Sequence, residues 1–141
     1  MKKIDLLCVD DNEDFRFFLQ RALEKYSKDV NYRIAENGQD FFEQLGLDGE
    51  AKVAPKLILL DINLPDANGI DVLEKLKKSK FYKAIPVVML STSDNPADIK
   101  KAIDNGANAF VSKPSSFNKL KELIADACDF WLNHNNVPNP D

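Results

Sequence analysis

Three aspartates, two neighbouring hydroxyls and one lysine stand at the ends of short apolar runs in this chain of 141 residues. Asp10 and Asp11 follow the run from Ile4 to Val9, and Asp61 follows Leu57-Ile58-Leu59-Leu60. Ser91 and Thr92 close the run that starts at Pro86, and Lys113-Pro114 follows Ala109 to Ser112. Clustered carboxylates repel one another, and a hard divalent cation relieves that cost. A donor set of oxygens without His or Cys suits magnesium rather than zinc. Magnesium prefers one or two carboxylates together with phosphate oxygens. Phosphoryl transfer needs positive charge around the moving group more than it needs covalent help, and Lys113 would add to that charge. A carboxylate can itself be the nucleophile and form an aspartyl-phosphate. Asp61 ends the most apolar run and is the candidate for that role. Each residue taken alone has a plainer reading: a strand-terminal Asp as a helix N-cap, Lys113 as a solvated surface lysine. The joint placement at predicted strand ends favours the chemical reading.

The elements that must position these residues alternate strand and helix five times. Ile4–Val9 reads as a first strand. A helix follows from Glu13 to about Lys28, with Phe15, Phe18, Leu19, Ala22, Leu23 and Tyr26 at spacings of three and four. Val30–Ala35 alternates like a strand, and Asn37-Gly38 punctuates before a short helix from Gln39 to Leu45. Leu47 to Lys56, with Gly49 and Pro55, reads as a loop. Leu57–Leu60 has the continuous apolar character of a strand buried on both faces. A loop from Asn63 to Gly69 leads into a helix from Ile70 to Lys80. The fourth strand runs from Pro86 to Ser91, where proline is tolerated at the first position. A helix from Ala97 to Asn105 ends at Gly106. Ala109–Ser112 is the fifth strand, and Ser116–Asn133 is a long amphipathic helix. Asn135–Asp141 carries two prolines and is expected to fray. This alternation argues a doubly wound parallel sheet with helices on both faces. Right-handed crossovers put all C-terminal strand ends on one edge, where ligands of open α/β sheets bind.

Length and composition narrow the function. The chain has room for one domain, with 44% hydrophobic and 30% charged residues, enough apolar material for one core. Nineteen basic against 23 acidic side chains give a net charge of −4, which argues against sequence-independent nucleic-acid binding. The apolar runs fall far short of the roughly 20 residues of a membrane helix. Asp5 interrupts any signal-peptide core, so a cytoplasmic protein is expected. Cys8 and Cys128 are too few for a disulfide framework and read as small core hydrophobes.

The segments Val9-Asp10-Asp11, Leu60-Asp61-Ile62-Asn63-Leu64-Pro65 with Asn68-Gly69, Pro86 to Ser91, and Gly106-Ala107 through Phe110 to Pro114 carry a family pattern. Over about residues 4–134 the chain resembles a response-regulator receiver domain of two-component signalling. The resemblance implies a flavodoxin-like fold with five strands in the order 2-1-3-4-5. It implies that Asp61 accepts a phosphoryl group from a phosphohistidine of a sensor histidine kinase or a histidine phosphotransfer protein. Asp11, Asp61 and the backbone carbonyl of Asn63 would ligate Mg2+, with Asp10 acting through a metal-bound water. Lys113 would pair with Asp61 before transfer and with a phosphate oxygen afterwards, and the Lys113-Pro114 bond would be cis. Ser91 and Phe110 hold the positions of the switch hydroxyl and its coupled aromatic. A downstream protein target is implied, as is a homodimer through the fourth helix, fifth strand and fifth helix. Residues 1–134 would then form the receiver, 135–141 a flexible tail, and output would be a protein contact or onward phosphoryl transfer.

The chain departs from the family pattern at three positions. Ser91 replaces the commoner threonine and has a weaker rotamer preference. Phe110 replaces the frequent tyrosine and offers no hydroxyl. Thr92 is larger than the usual residue and bears on access to the phosphate. Among rival readings, an aspartate-nucleophile phosphatase of the haloacid-dehalogenase type needs a general acid two residues past Asp61, where Asn63 cannot transfer a proton. A pseudo-receiver that only binds partners would lack part of the set, which is complete. A calcium loop from Asp10 fails at Phe15 and Arg21, and a Ser-His-Asp hydrolase has only His134, which reads as a surface residue. Phe15, Phe18, Phe41 and Phe42 read as core. Trp131 is open between core and partner surface.

Overall fold

A computed structural model describes residues 1–47 and 49–138. Asp48 of the expected loop, and residues 139–141 of the expected tail, lie outside the described residues. Five strands, β1 (Lys2–Val9), β2 (Tyr32–Ala35), β3 (Val53–Asp61), β4 (Val87–Ser91) and β5 (Ala109–Ser112), alternate with α1 (Glu13–Glu24), α2 (Gly38–Leu45), α3 (Gly69–Lys78), α4 (Pro96–Asp104) and α5 (Phe117–Ala127). The strands form one parallel sheet in the order β2-β1-β3-β4-β5, as the resemblance implies.

Alternation along the strands splits the core into two layers. Leu7, Val9, Ile58, Leu60, Val87 and Met89 face α2, α3 and α4, where Phe41, Leu73 and Ala102 meet them. Leu6, Cys8, Leu57, Leu59, Val88 and Leu90 face the other way, onto Leu19, Ala22 and Leu23 of α1 and Leu120 and Ile124 of α5. Both cysteines are buried in this second layer. Burial pushes the Cys128 thiol up to about 12, so it stays neutral.

Most helices start at a side-chain cap that the sequence supplies. Asn12 Oδ1 accepts from the Phe15 amide at 2.9 Å, Asn37 Oδ1 from Asp40 at 2.8 Å, and Asn68 Oδ1 from Ile70 at 2.8 Å. Ser116 Oγ does the same for Lys119 at 3.2 Å. Gly46 and Gly106 both take positive φ, the first as the cap of α2 and the second in the turn before β5.

Several expectations need correction. β3 begins at Val53, inside the stretch expected as loop, and carries a buried Pro55. The early part of β3 pairs with β1, Ile4 opposite Pro55, while β4 joins only from Ile58. Pro55 therefore sits where one side of the strand has no ladder partner, a place where proline is tolerated. α1 stops at Glu24 rather than Lys28, and β2 starts at Tyr32 rather than Val30. The last helix widens into a π-helical segment, Cys128–His134, in which the Asn135 amide donates to Phe130 O at 2.7 Å. Apolar spacing alone does not separate these two helical pitches. Phe18 is not core: it is exposed on α1 with its ring against Phe117. Phe41 is buried, Phe15 and Phe42 are half-buried, and Trp131 packs on the second layer while Phe130 beside it is exposed. Val137 of the expected tail packs against the first layer.

Candidate functional site

The sheet edge built from the C-terminal ends of β1, β3, β4 and β5 gathers the polar strand-end residues. Asp10 and Asp61 are 1% and 4% exposed, unusual burial for carboxylates. Lys113 reaches between them: Nζ lies 2.6 Å from Asp10 Oδ2 and 3.2 Å from Asp61 Oδ2. The other oxygen of each carboxylate is held by its own chain. Asp10 Oδ1 accepts from the Asn12 amide at 2.9 Å, and Asp61 Oδ1 accepts from the Asn63 amide at 3.2 Å. These bonds to the residue two positions on are local Asx turns, and they fix both side chains as the strands end.

Asp11 is exposed, yet carboxylate oxygens of Asp10, Asp11 and Asp61 lie within 4.8 Å of one another. Three carboxylates face one ammonium. Burial pushes the Asp61 carboxyl above its ordinary range; Lys113 opposes this and Asp10 reinforces it. Burial works against the Lys113 charge, but Asp10 and Asp61 outweigh it and hold Lys113 above its ordinary value. The surplus negative charge and the all-oxygen donor set fit a hard divalent cation. Cys8 adds no nucleophile here: burial pushes its thiol far up, so it stays protonated.

Ser91 is fully buried at the end of β4, and its Oγ accepts from the Ser93 amide at 3.0 Å. It lies in register with Ser112, the residue before Lys113, and the Lys113 amide donates to Ser91 O at 2.8 Å. Thr92 is exposed, Pro114 is half-buried, and Phe110 is half-buried against the first core layer. The Lys113-Pro114 bond is trans, since no cis peptide occurs among the described residues. The two isomers of a bond to proline differ by only about 0.5–1 kcal/mol, so the local sequence does not dictate either.

Two further residues touch the site, and a third ties down the loop that follows Asp61. Phe15, on the first turn of α1, places its ring centroid 4.6 Å from Lys113 Nζ. Arg16 Nη1 donates to Asp10 O at 2.9 Å. Asp66 accepts from the Gly38 and Gln39 amides at 2.8 and 2.9 Å, tying the loop after Asp61 to the start of α2. No spacing rule marks Asp66 or Arg16, and Phe15 is hidden among apolar residues of helical period.

This geometry agrees with comparison to known proteins. The family model for the response regulator receiver domain matches residues 6–125. The chain belongs to the response-regulator receiver family. It is 33% identical over 136 residues to the probable methanogenesis regulatory protein FilR2 of Methanothrix harundinacea, covering 96% of this chain and 88% of that one. It is 32% identical to the response regulator Rcp1 of Synechocystis, covering 96% of this chain and 93% of that protein. Among solved structures, the phosphorylated cyanobacterial phytochrome response regulator RcpA superposes with a TM-score of 0.86 at 33% identity. That match covers 98% of this chain and 99% of that one. The Mn(2+)-bound form of Rcp1 gives 0.83 at 28% identity, covering 96% and 99%. Receiver domains are signalling proteins rather than typical enzymes. Among the described residues no helix is long and apolar enough to cross a membrane.

Proposed function

We propose that this receiver is a phosphorylation-dependent signalling switch whose acceptor is Asp61. The observation that carries the reading is Lys113 held between two buried carboxylates, at 2.6 Å from Asp10 and 3.2 Å from Asp61. The donor is a phosphohistidine on a sensor kinase or phosphotransfer protein. An Asp61 carboxylate oxygen attacks phosphorus, the P–N bond breaks with its electrons going to the imidazole, and an aspartyl-phosphate remains. Asp11, Asp61 and the backbone carbonyl of Asn63 are the groups that would hold Mg2+, with Asp10 engaged through water. When bound, the ion neutralises charge on the phosphoryl oxygens. Lys113 pairs with Asp61 before transfer and with a phosphate oxygen after it. The Ser91 hydroxyl leaves the Ser93 amide and turns to the phosphate. Phe110 follows, because β4 and β5 are in register through Met89–Phe110 and Ser91–Ser112. The phosphate thereby favours one conformer over another.

The output is a protein contact or onward phosphoryl transfer, in the cytoplasm, through the face made by α4, β5 and α5, which also offers a homodimer surface. Ile103 of α4, 47% exposed, supplies an apolar contact point there. Catalysis is confined to the chain's own phosphorylation and dephosphorylation. The haloacid-dehalogenase alternative is disfavoured by Asn63 in the general-acid position, and the pseudo-receiver alternative by the complete set of Asp10, Asp11, Asp61 and Lys113. Incubation with acetyl phosphate and magnesium should give an acid-stable, base-labile adduct on the wild type and none on Asp61→Asn. An adduct that persists in the variant overturns the assignment of Asp61.

A further inference from the structure

Lys113 has three N–H donors, and the two carboxylates account for two directions around Nζ. The Phe15 ring lies 4.6 Å away, inside the range at which the negative face of an aromatic ring attracts an ammonium. The Lys113 side chain is only 11% exposed, so this attraction operates with little competing water. The placement follows from local structure. Asn12 caps α1 through the Phe15 amide, which fixes Phe15 in the first helical turn. Side chains of a helix lean toward its N-terminus, and the N-terminus of α1 lies directly after Asp10 and Asp11. The ring is therefore delivered to the acidic edge, at the margin of the second core layer, against which it also packs.

We propose that Phe15 is a positioning residue of the site: its ring face holds the Lys113 ammonium between Asp10 and Asp61, so that Lys113 meets the incoming phosphoryl group already oriented. The assignment rests on Asp61 being the phosphoryl acceptor. It goes beyond that reading by making the first turn of α1, otherwise a structural element, part of the transfer machinery. A ring that merely fills space would be replaceable by any apolar side chain of similar size. A ring that acts through its π-face would not.

The test uses the full chain with Phe15 replaced by mono-, di- and trifluorophenylalanine, which keep the ring's shape while draining its face of negative charge. The rate of adduct formation from acetyl phosphate and magnesium should fall stepwise, by about 3- to 10-fold across the series, with an unchanged melting midpoint. Phe15→Tyr should keep the wild-type rate, and Phe15→Leu should be slowed at least as much as the trifluoro variant. A rate that is flat across the fluorinated series overturns the proposal. A second readout is independent of phosphorylation. In the metal-free wild type the Lys113 Hε resonances should be shifted upfield by the Phe15 ring current, and the shift should vanish in Phe15→Leu. Absence of that shift in the wild type sinks the placement of the ring alone. A wild-type chain that takes no label, yet shows the shift, sinks the receiver chemistry and with it the role, while leaving the contact standing.

Discussion

At the scale of the residue, the site is a problem of charge held in advance. Asp61 is buried and shares a pocket with Asp10, while one ammonium serves both. Burial holds its carboxyl above the ordinary range despite Lys113. A carboxyl with a raised native pKa binds more protons in the folded than in the unfolded state between the two values, so ionising it costs stability as pH rises through that window. Asp61→Asn should therefore raise the thermal midpoint of the metal-free protein at pH 7, and the gain should disappear near pH 3, where the carboxyl is protonated in both states. Magnesium should stabilise the wild type more than the variant, because ligand binding to the folded state adds to stability. Differential scanning calorimetry at the two pH values, with and without magnesium, checks all three. A wild type as stable as Asp61→Asn at pH 7 would show that Lys113 fully offsets the buried charge. Asp10, Asp11, Asp61 and Lys113 were legible in the sequence because each interrupts an apolar run where a strand stops. Phe15 was not, since an aromatic at helical spacing reads as core whatever its ring faces. Asp66 was not, since its partners lie 27 and 28 residues away and no local pattern announces the pairing.

At the scale of the element, the site depends on how closely α3 approaches the end of β3. Gly69 opens α3, and its amide donates to Ile62 O at 2.6 Å. A Cβ at Gly69 would lie 2.1 Å from Asp61 O and 2.7 Å from Ile62 Cα, both backbone atoms that no rotamer change can move. Gly69→Ala must then push α3 from the sheet or displace the end of β3. The expected loss is about 1–3 kcal/mol. Adduct formation should also slow at a temperature well below both midpoints, because Asp61 shifts relative to Lys113. Normal labelling in a destabilised Gly69→Ala would mean that α3 moves and β3 does not. The helices were readable because apolar residues recur at three and four. The early part of β3 was hidden by Gly49 and Pro55: its proline is tolerated only because β4 has not yet joined, a fact of register that the strand's own residues do not carry.

At the scale of the whole molecule, the two edges of the sheet do different work. The C-terminal edge gathers the charges, and the opposite edge is closed by hydrogen bonds from side chains, the buried Tyr82 and the half-buried Lys77. Tyr82, 1% exposed, donates its hydroxyl toward Leu45 O at 2.7 Å and Val53 O at 3.0 Å, joining the end of α2 to the start of β3. Lys77 Nζ donates to Ile85 O at 2.9 Å and to Asn108 Oδ1 at 3.3 Å, and Asn108 Oδ1 also accepts from the Val87 amide at 2.9 Å. Val53 and Asp61 are the two ends of one strand, about 26 Å apart at ~3.3 Å per residue. Tyr82→Phe removes that hydroxyl while Leu45 O keeps the Lys52 amide at 2.9 Å, so the change should cost about 0.5–1.5 kcal/mol and lower the melting midpoint by roughly 2–6 °C. The same substitution should leave the rate of adduct formation at Asp61 unchanged at 20 °C below the variant's midpoint, about the full length of β3 away from the change. A slowed rate in folded Tyr82→Phe would show that the two edges are coupled through the strand itself, and that closing the far edge is part of how the acidic edge is held ready.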